Sequence, residues 1–90
     1  MYLEREEQEY MINCIGDLNS REMKTLELIA NGFTDQGIGE FFHTSTKSAA
    51  GTIGRVYDKL GVCKTTYPNL SPRVLAARAF LIYKMRETPF

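Results

Sequence analysis

Lys47, Ser48, Thr52, Arg55 and Lys59 are the polar side chains of one run, residues 46–59, that suit contact with nucleic acid. Lysine and arginine, here Lys47 and Arg55 first, hold phosphates and so supply affinity and position. The hydroxyls of Ser48 and Thr52 are of a kind that reaches base edges. Ala50, Gly51 and Gly54 lie among them and offer almost no side chain. Alanine can touch only a thymine methyl, and glycine makes no side-chain contact at all. Upstream, Thr34, Asp35 and Gln36 stand at the start of another candidate helix. Free N–H groups and the helix dipole attract a phosphate at such a place. Asp35 works against an anion there, which leaves Thr34 and Gln36 as the candidates.

Other chemistries find little support. No nucleophile–base pair, phosphate loop or ligand cluster stands out, so no catalytic residue is assigned and the chain reads as a non-enzyme. The two cysteines, Cys14 and Cys63, are far apart, and His43 is the single histidine. None has metal-ligand spacing, and the usual zinc sites need four ligands. The expectation is two reduced thiols, with Cys14 in the core, His43 in a turn, no metal and no cofactor.

The elements that must position these residues are helical. Ninety residues make one domain at most, and 43% hydrophobic with 24% charged residues is a globular composition. No apolar run is long enough to cross a bilayer. The opening MYLEREEQEY lacks the basic-then-apolar layout of a signal peptide, so a cytoplasmic chain with no membrane partner is expected. Net charge is zero but unevenly placed. Residues 1–17 carry Glu4, Glu6, Glu7, Glu9 and Asp17 against Arg5, and residues 63–90 carry Lys64, Arg73, Arg78, Lys84 and Arg86 against Glu87. A charge run at a terminus is usually a solvated face. A dedicated nucleic-acid binder is usually basic overall, so zero net charge weighs against that function.

Helical spacing recurs along the chain without strand alternation. A first helix from about Glu4 to Ile15 groups Leu3, Tyr10, Met11, Cys14 and Ile15 on one face, and Gly16 ends it. Asn19 with Glu22 forms a capping box for a second helix, with Leu18 and Met23 as its hydrophobic staple. Its stripe is Met23, Leu26, Ile29 and Ala30, and Gly32 stops it. Thr34 caps a short third helix, with Phe33 and Ile38 as a second staple, ending near Phe42. His43 to Ser45 make a tight turn. Ser45 caps a fourth helix over Thr46–Leu60, with Ala49, Ile53, Val56, Tyr57 and Leu60 inward and Gly61 as terminator. After a loop over 63–70, Ser71 and Pro72 open a last helix to about Arg86, apolar round most of its circumference. One of its faces would meet the core. The other, through Val74, Leu75, Arg78, Ala79 and Ile82, would meet a second copy of the chain.

Two short helices joined by a tight turn, the second longer, describe a helix-turn-helix, in which the second helix enters the major groove. The residues Leu18 to Glu22, Leu26 to Gly32, then Ile38, Glu40, Phe42, Ser45 and Lys47, and finally Arg55 to Val62, resemble the LuxR/GerE DNA-binding domain in joint spacing. The resemblance runs without a gap over 18–62, about half the chain. It implies an all-α, four-helix domain that binds DNA as a dimer and regulates transcription, here with an extra N-terminal helix. It also implies that 46–60 is the recognition helix and that the helix from Pro72 is the dimerisation helix. The organisation expected is an acidic helix over 1–17, a helix-turn-helix core over 18–62, and a loop with a dimerisation helix over 63–90. The family usually places a sensory or receiver domain before this unit, and residues 1–17 are too few for one, so control would come from abundance or a partner. The chain departs from the family at Ala50, Gly51, Thr52 and Gly54, where members commonly carry larger polar side chains. The loop over 63–70 also looks longer than the family's link.

Two functions follow. One is a small transcriptional regulator reading duplex DNA as a homodimer through residues 46–59. The other is a protein-binding relative that antagonises or modulates another transcription factor or RNA polymerase without reading DNA.

Overall fold

The computed structural model describes residues 5–62 and 67–87. Leu3, Glu4, Cys63 and Lys64 lie outside the described residues. Five helices follow in order, α1 (Arg5–Ile15), α2 (Ser20–Ala30), α3 (Asp35–Phe41), α4 (Thr46–Leu60) and α5 (Pro72–Glu87), with no strand among the described residues. The fold is all-α.

The caps act as their residue types dictate. Asn19 Oδ1 accepts from the Glu22 backbone N–H at 2.8 Å, and Glu22 Oε1 accepts from the Asn19 N–H at 2.9 Å. Two otherwise orphaned donors of α2 are thereby satisfied reciprocally. Thr34 Oγ1 accepts from Gly37 N at 3.1 Å, and Ser45 Oγ from Ser48 N at 3.0 Å. Ser71 Oγ accepts from Val74 N at 3.3 Å, ahead of Pro72. Gly61 closes α4 in the left-handed region, φ 73°, where glycine alone escapes the Cβ clash.

Burial divides the core into two clusters. Met11, Ile12 and Ile15 of α1 join Leu26, Val56, Leu60, Leu75, Ala76, Ala79 and Phe80 in the larger one. Leu28, Ile29, Ile38, Ala49 and Ile53 form a smaller one beneath α3 and the start of α4. α4 belongs to both, the first half to the smaller and the second half to the larger. Each fully buried aliphatic side chain contributes roughly 1.5–3 kcal/mol, so Val56 and Leu60 hold α4 to the bundle and Ala49 and Ile53 hold it to α3.

Several expectations need correction. Tyr10 is 61% exposed and Ile12 takes the inward place on α1. The Tyr10 ring lies against Gly61, within 3.3 Å of where a Cβ would stand, so it rides on the end of α4 rather than in the core. Phe33 stays exposed and packs over Gly37, although Ile38 is wholly buried. Cys14 is half-buried at the edge of the larger cluster. The acidic N-terminal helix is not simply a solvated face. Arg86 grips both Glu9 carboxylate oxygens, at 2.8 and 2.7 Å, and Tyr67 donates to Glu7 at 2.6 Å. The Arg86 guanidinium holds the Glu9 carboxyl below its ordinary value.

The α5 face expected to be free is covered by α1. Leu75 is 5% and Ala79 6% exposed, and Ile82 is half-buried. Gln8, Met11 and Ile12 face them across a cleft of about 10 Å³, too small for more than a water. Of the expected dimer residues, only Val74 and Arg78 are exposed. With Leu81 and Met85 they form the outer row of α5.

Candidate nucleic-acid interface

The unit that carries the candidate residues is α3, its turn and α4. Three features set the angle between the helices. Ile38 is buried against Ala49 and Ile53. His43 turns the chain at φ 57°, in the left-handed region that histidine tolerates better than most residues. Gly39 lets the turn pass close by, since a Cβ there would stand 3.0 Å from the Thr44 carbonyl oxygen and 3.1 Å from that of Ser45. Thr44 N–H closes the turn on Gly39 O at 2.8 Å.

With Ala49, Ile53, Val56 and Leu60 inward, helical spacing aims the row Lys47, Gly51, Gly54 and Asp58 outward. Ala50 stands on one flank of that row; Ser48, Arg55 and Lys59 stand on the other. Lys47, Ser48, Ala50, Gly51, Arg55, Asp58 and Lys59 are exposed, and Gly54 is half-buried. An added Cβ at Gly51 or Gly54 would meet no atom within 4 Å. The middle of the outer row is therefore bare backbone, with Lys47 at one end and Asp58 at the other.

Two of the expected contact residues are otherwise engaged. Thr52 is 7% exposed. Its Oγ1 donates to Ser48 O at 3.4 Å and accepts from Arg55 Nη2 at 3.1 Å. Buried and so bonded, it does not reach out to a base, and it orients Arg55 instead. Lys59 Nζ donates to Glu22 Oε1 at 2.7 Å. Glu22 is 3% exposed, and a carboxylate at that depth needs a cation. The Lys59 ammonium, then the Asn19 N–H, hold the Glu22 carboxyl below its ordinary value. No local signal links positions thirty-seven residues apart, so this pair was invisible in the sequence.

At α3, Thr34 is exposed, but its hydroxyl oxygen is spent on the cap. Gln36 is exposed and its amide donates to Glu40 at 3.3 Å. Asp35 is paired with Arg73 at 2.7 Å, and Arg73 also donates to the Phe33 carbonyl. The charge that opposed an anion at this end is thus offset from α5. Tyr57 is half-buried against both clusters, and burial raises its hydroxyl's pKa.

Arg21 was missed. It projects from the first turn of α2, exposed, with Cζ 4.3 Å from the Phe42 ring centroid. Among the described residues no group of three or more His, Cys, Asp or Glu is arranged to hold a metal ion. Among the described residues no helix is long and apolar enough to cross a membrane. Comparison with family models, with curated proteins and with solved structures finds no match to this chain.

Proposed function

We propose that the chain is a small transcriptional regulator, related to the LuxR/GerE DNA-binding domain, that binds duplex DNA through α4. One observation carries the reading. The outer face of α4 is open, begins with the Lys47 cation and the Ser48 hydroxyl, and is bare backbone at Gly51 and the half-buried Gly54. A helix with such a face can lie deep in a major groove, its first turns toward base edges. Lys47 and Arg55 would hold phosphates and Ser48 a base edge, with Ala50 against a thymine methyl. Few side chains are left for direct readout, so sequence preference would be modest and depend partly on DNA shape.

The regulator would act in the cytoplasm, without catalysis, as a homodimer. The exposed row Val74, Arg78, Leu81 and Met85 of α5 has coiled-coil spacing and would meet its counterpart in a second copy.

A second reading is favoured by the same bare strip together with zero net charge and the outward Asp58. There α4 would engage another transcription factor or RNA polymerase and modulate it without reading DNA.

Selection from a random duplex pool, followed by binding against salt concentration, separates the two. The regulator enriches a site, binds it with a steep salt slope, and binds it more weakly as Lys47→Ala. No enrichment and no duplex binding at low salt would refute it and favour the protein-binding reading.

A further inference from the structure

We infer that the first turn of α2 is a second phosphate-holding surface, on which Arg21, held over the Phe42 ring, grips the DNA backbone next to α4. This rests on the duplex-DNA reading and adds to it a contact on α2, outside the α3–α4 pair.

The geometry starts from Phe42. It caps α3, is half-buried, packs against the Ile38–Ala49–Ile53 cluster, and meets Phe41 edge-on at 5.0 Å. Its ring is therefore a fixed part of the α3–α4 unit. Arg21 lies over that ring. A guanidinium stacked on an aromatic face keeps its N–H donors free in its own plane, and it loses less freedom when an anion arrives.

Arg55 is aimed in a similar way. Its Nη2 donates to the buried Thr52 hydroxyl at 3.1 Å, which leaves most of its five donors unused. Glu22, which follows Arg21 on α2, is bonded to Lys59 and acts electrostatically with Arg55. Arg55 and Lys59 thus flank one buried carboxylate, and positive charge is in excess there. Neither arginine is paired with a carboxylate among the described residues. The patch stops at Lys24, which lies 5.3 Å from the Phe41 ring and is paired with Glu27 at 2.6 Å.

An excess of oriented guanidinium donors suits a phosphodiester, which accepts paired N–H bonds. Because phosphates carry no base identity, the contact would raise affinity for every duplex alike. It would also explain how a chain with few base readers holds DNA.

The test is the salt dependence of duplex binding for the full chain and for Arg21→Gln, Arg21→Lys and Lys47→Ala, each checked for folding by circular dichroism. Arg21→Gln is expected to lower the slope of log K against log salt by about 0.9, the value for one lost phosphate contact. It should weaken selected and random duplexes by the same factor. Arg21→Lys keeps the charge and should keep the slope. A folded Arg21→Gln with unchanged slope, alongside a weakened Lys47→Ala, overturns this inference and leaves the DNA reading standing. Absence of binding by the unsubstituted chain overturns both. Should Arg21→Gln fail to fold, Arg21→Lys and Arg21→Met decide. The inference then requires the slope kept in the first and lowered in the second, and any other pattern overturns it.

Discussion

Gly51 and Gly54 sit inside a fifteen-residue helix, where glycine is the wrong residue for stability. Fixing a glycine in a helix interior costs about 0.8–1.0 kcal/mol more than fixing an alanine, because its unfolded backbone is freer. A methyl at either position would touch nothing within 4 Å, so no overlap offsets the gain. Gly51→Ala and Gly54→Ala should each stabilise the folded chain by about 1 kcal/mol, and the double variant by about twice that. In a domain of this size 1 kcal/mol raises Tm by roughly 4–8 °C. Thermal and urea unfolding followed by circular dichroism read the change directly. A variant no more stable than the parent would refute the reasoning, since it would mean that this face is already covered. The same double variant tests the close approach of a groove. Stabler protein with weaker duplex binding is expected, and equal binding would show that bare backbone is not what the contact uses.

Gly39 predicts the opposite sign. A methyl there would press on the carbonyl oxygens of Thr44 and Ser45, which are backbone and cannot swing aside. Overpacking of about 1–3 kcal/mol outweighs the helix-propensity gain, so Gly39→Ala should lower the urea midpoint, and a rise would show that the turn is looser than described. Glu22 gives a pH dependence. Its carboxyl is lowered from 4.5 chiefly by Lys59, so folding stability from this group is complete above about pH 4.5 and is lost as pH falls through the depressed value. Lys59→Met should make the acid limb of the stability curve less steep, and superimposable limbs for the two proteins would contradict the pairing.

Much of the local structure was legible because its causes are local. Asn19, Thr34, Ser45 and Ser71 cap helices by bonding a backbone N–H three residues on, and Gly61 ends one by taking positive φ. The inward row of α4 followed from its period. The misjudged positions are those whose surroundings come from far along the chain. Tyr10 has a helical-period place on α1 but lies over Gly61, and Leu75 and Ala79 are covered by α1. The nearly all-round apolar character of α5 could not say which side α1 would take.

The candidate site divides along the same line. Residue type and spacing alone determined that α4 follows a tight turn after α3, carries Lys47, Ser48 and Arg55, and lacks large side chains at Ala50, Gly51 and Gly54. Tertiary structure decided the rest: that Thr52 turns inward and steers Arg55, that Lys59 is held by a buried Glu22, that Arg73 offsets Asp35, and that Arg21 comes to rest on Phe42. The physical reason is range. Caps, turns and periodicity act over a few residues of backbone, whereas the partner of a charge is set by whichever helix packs across from it.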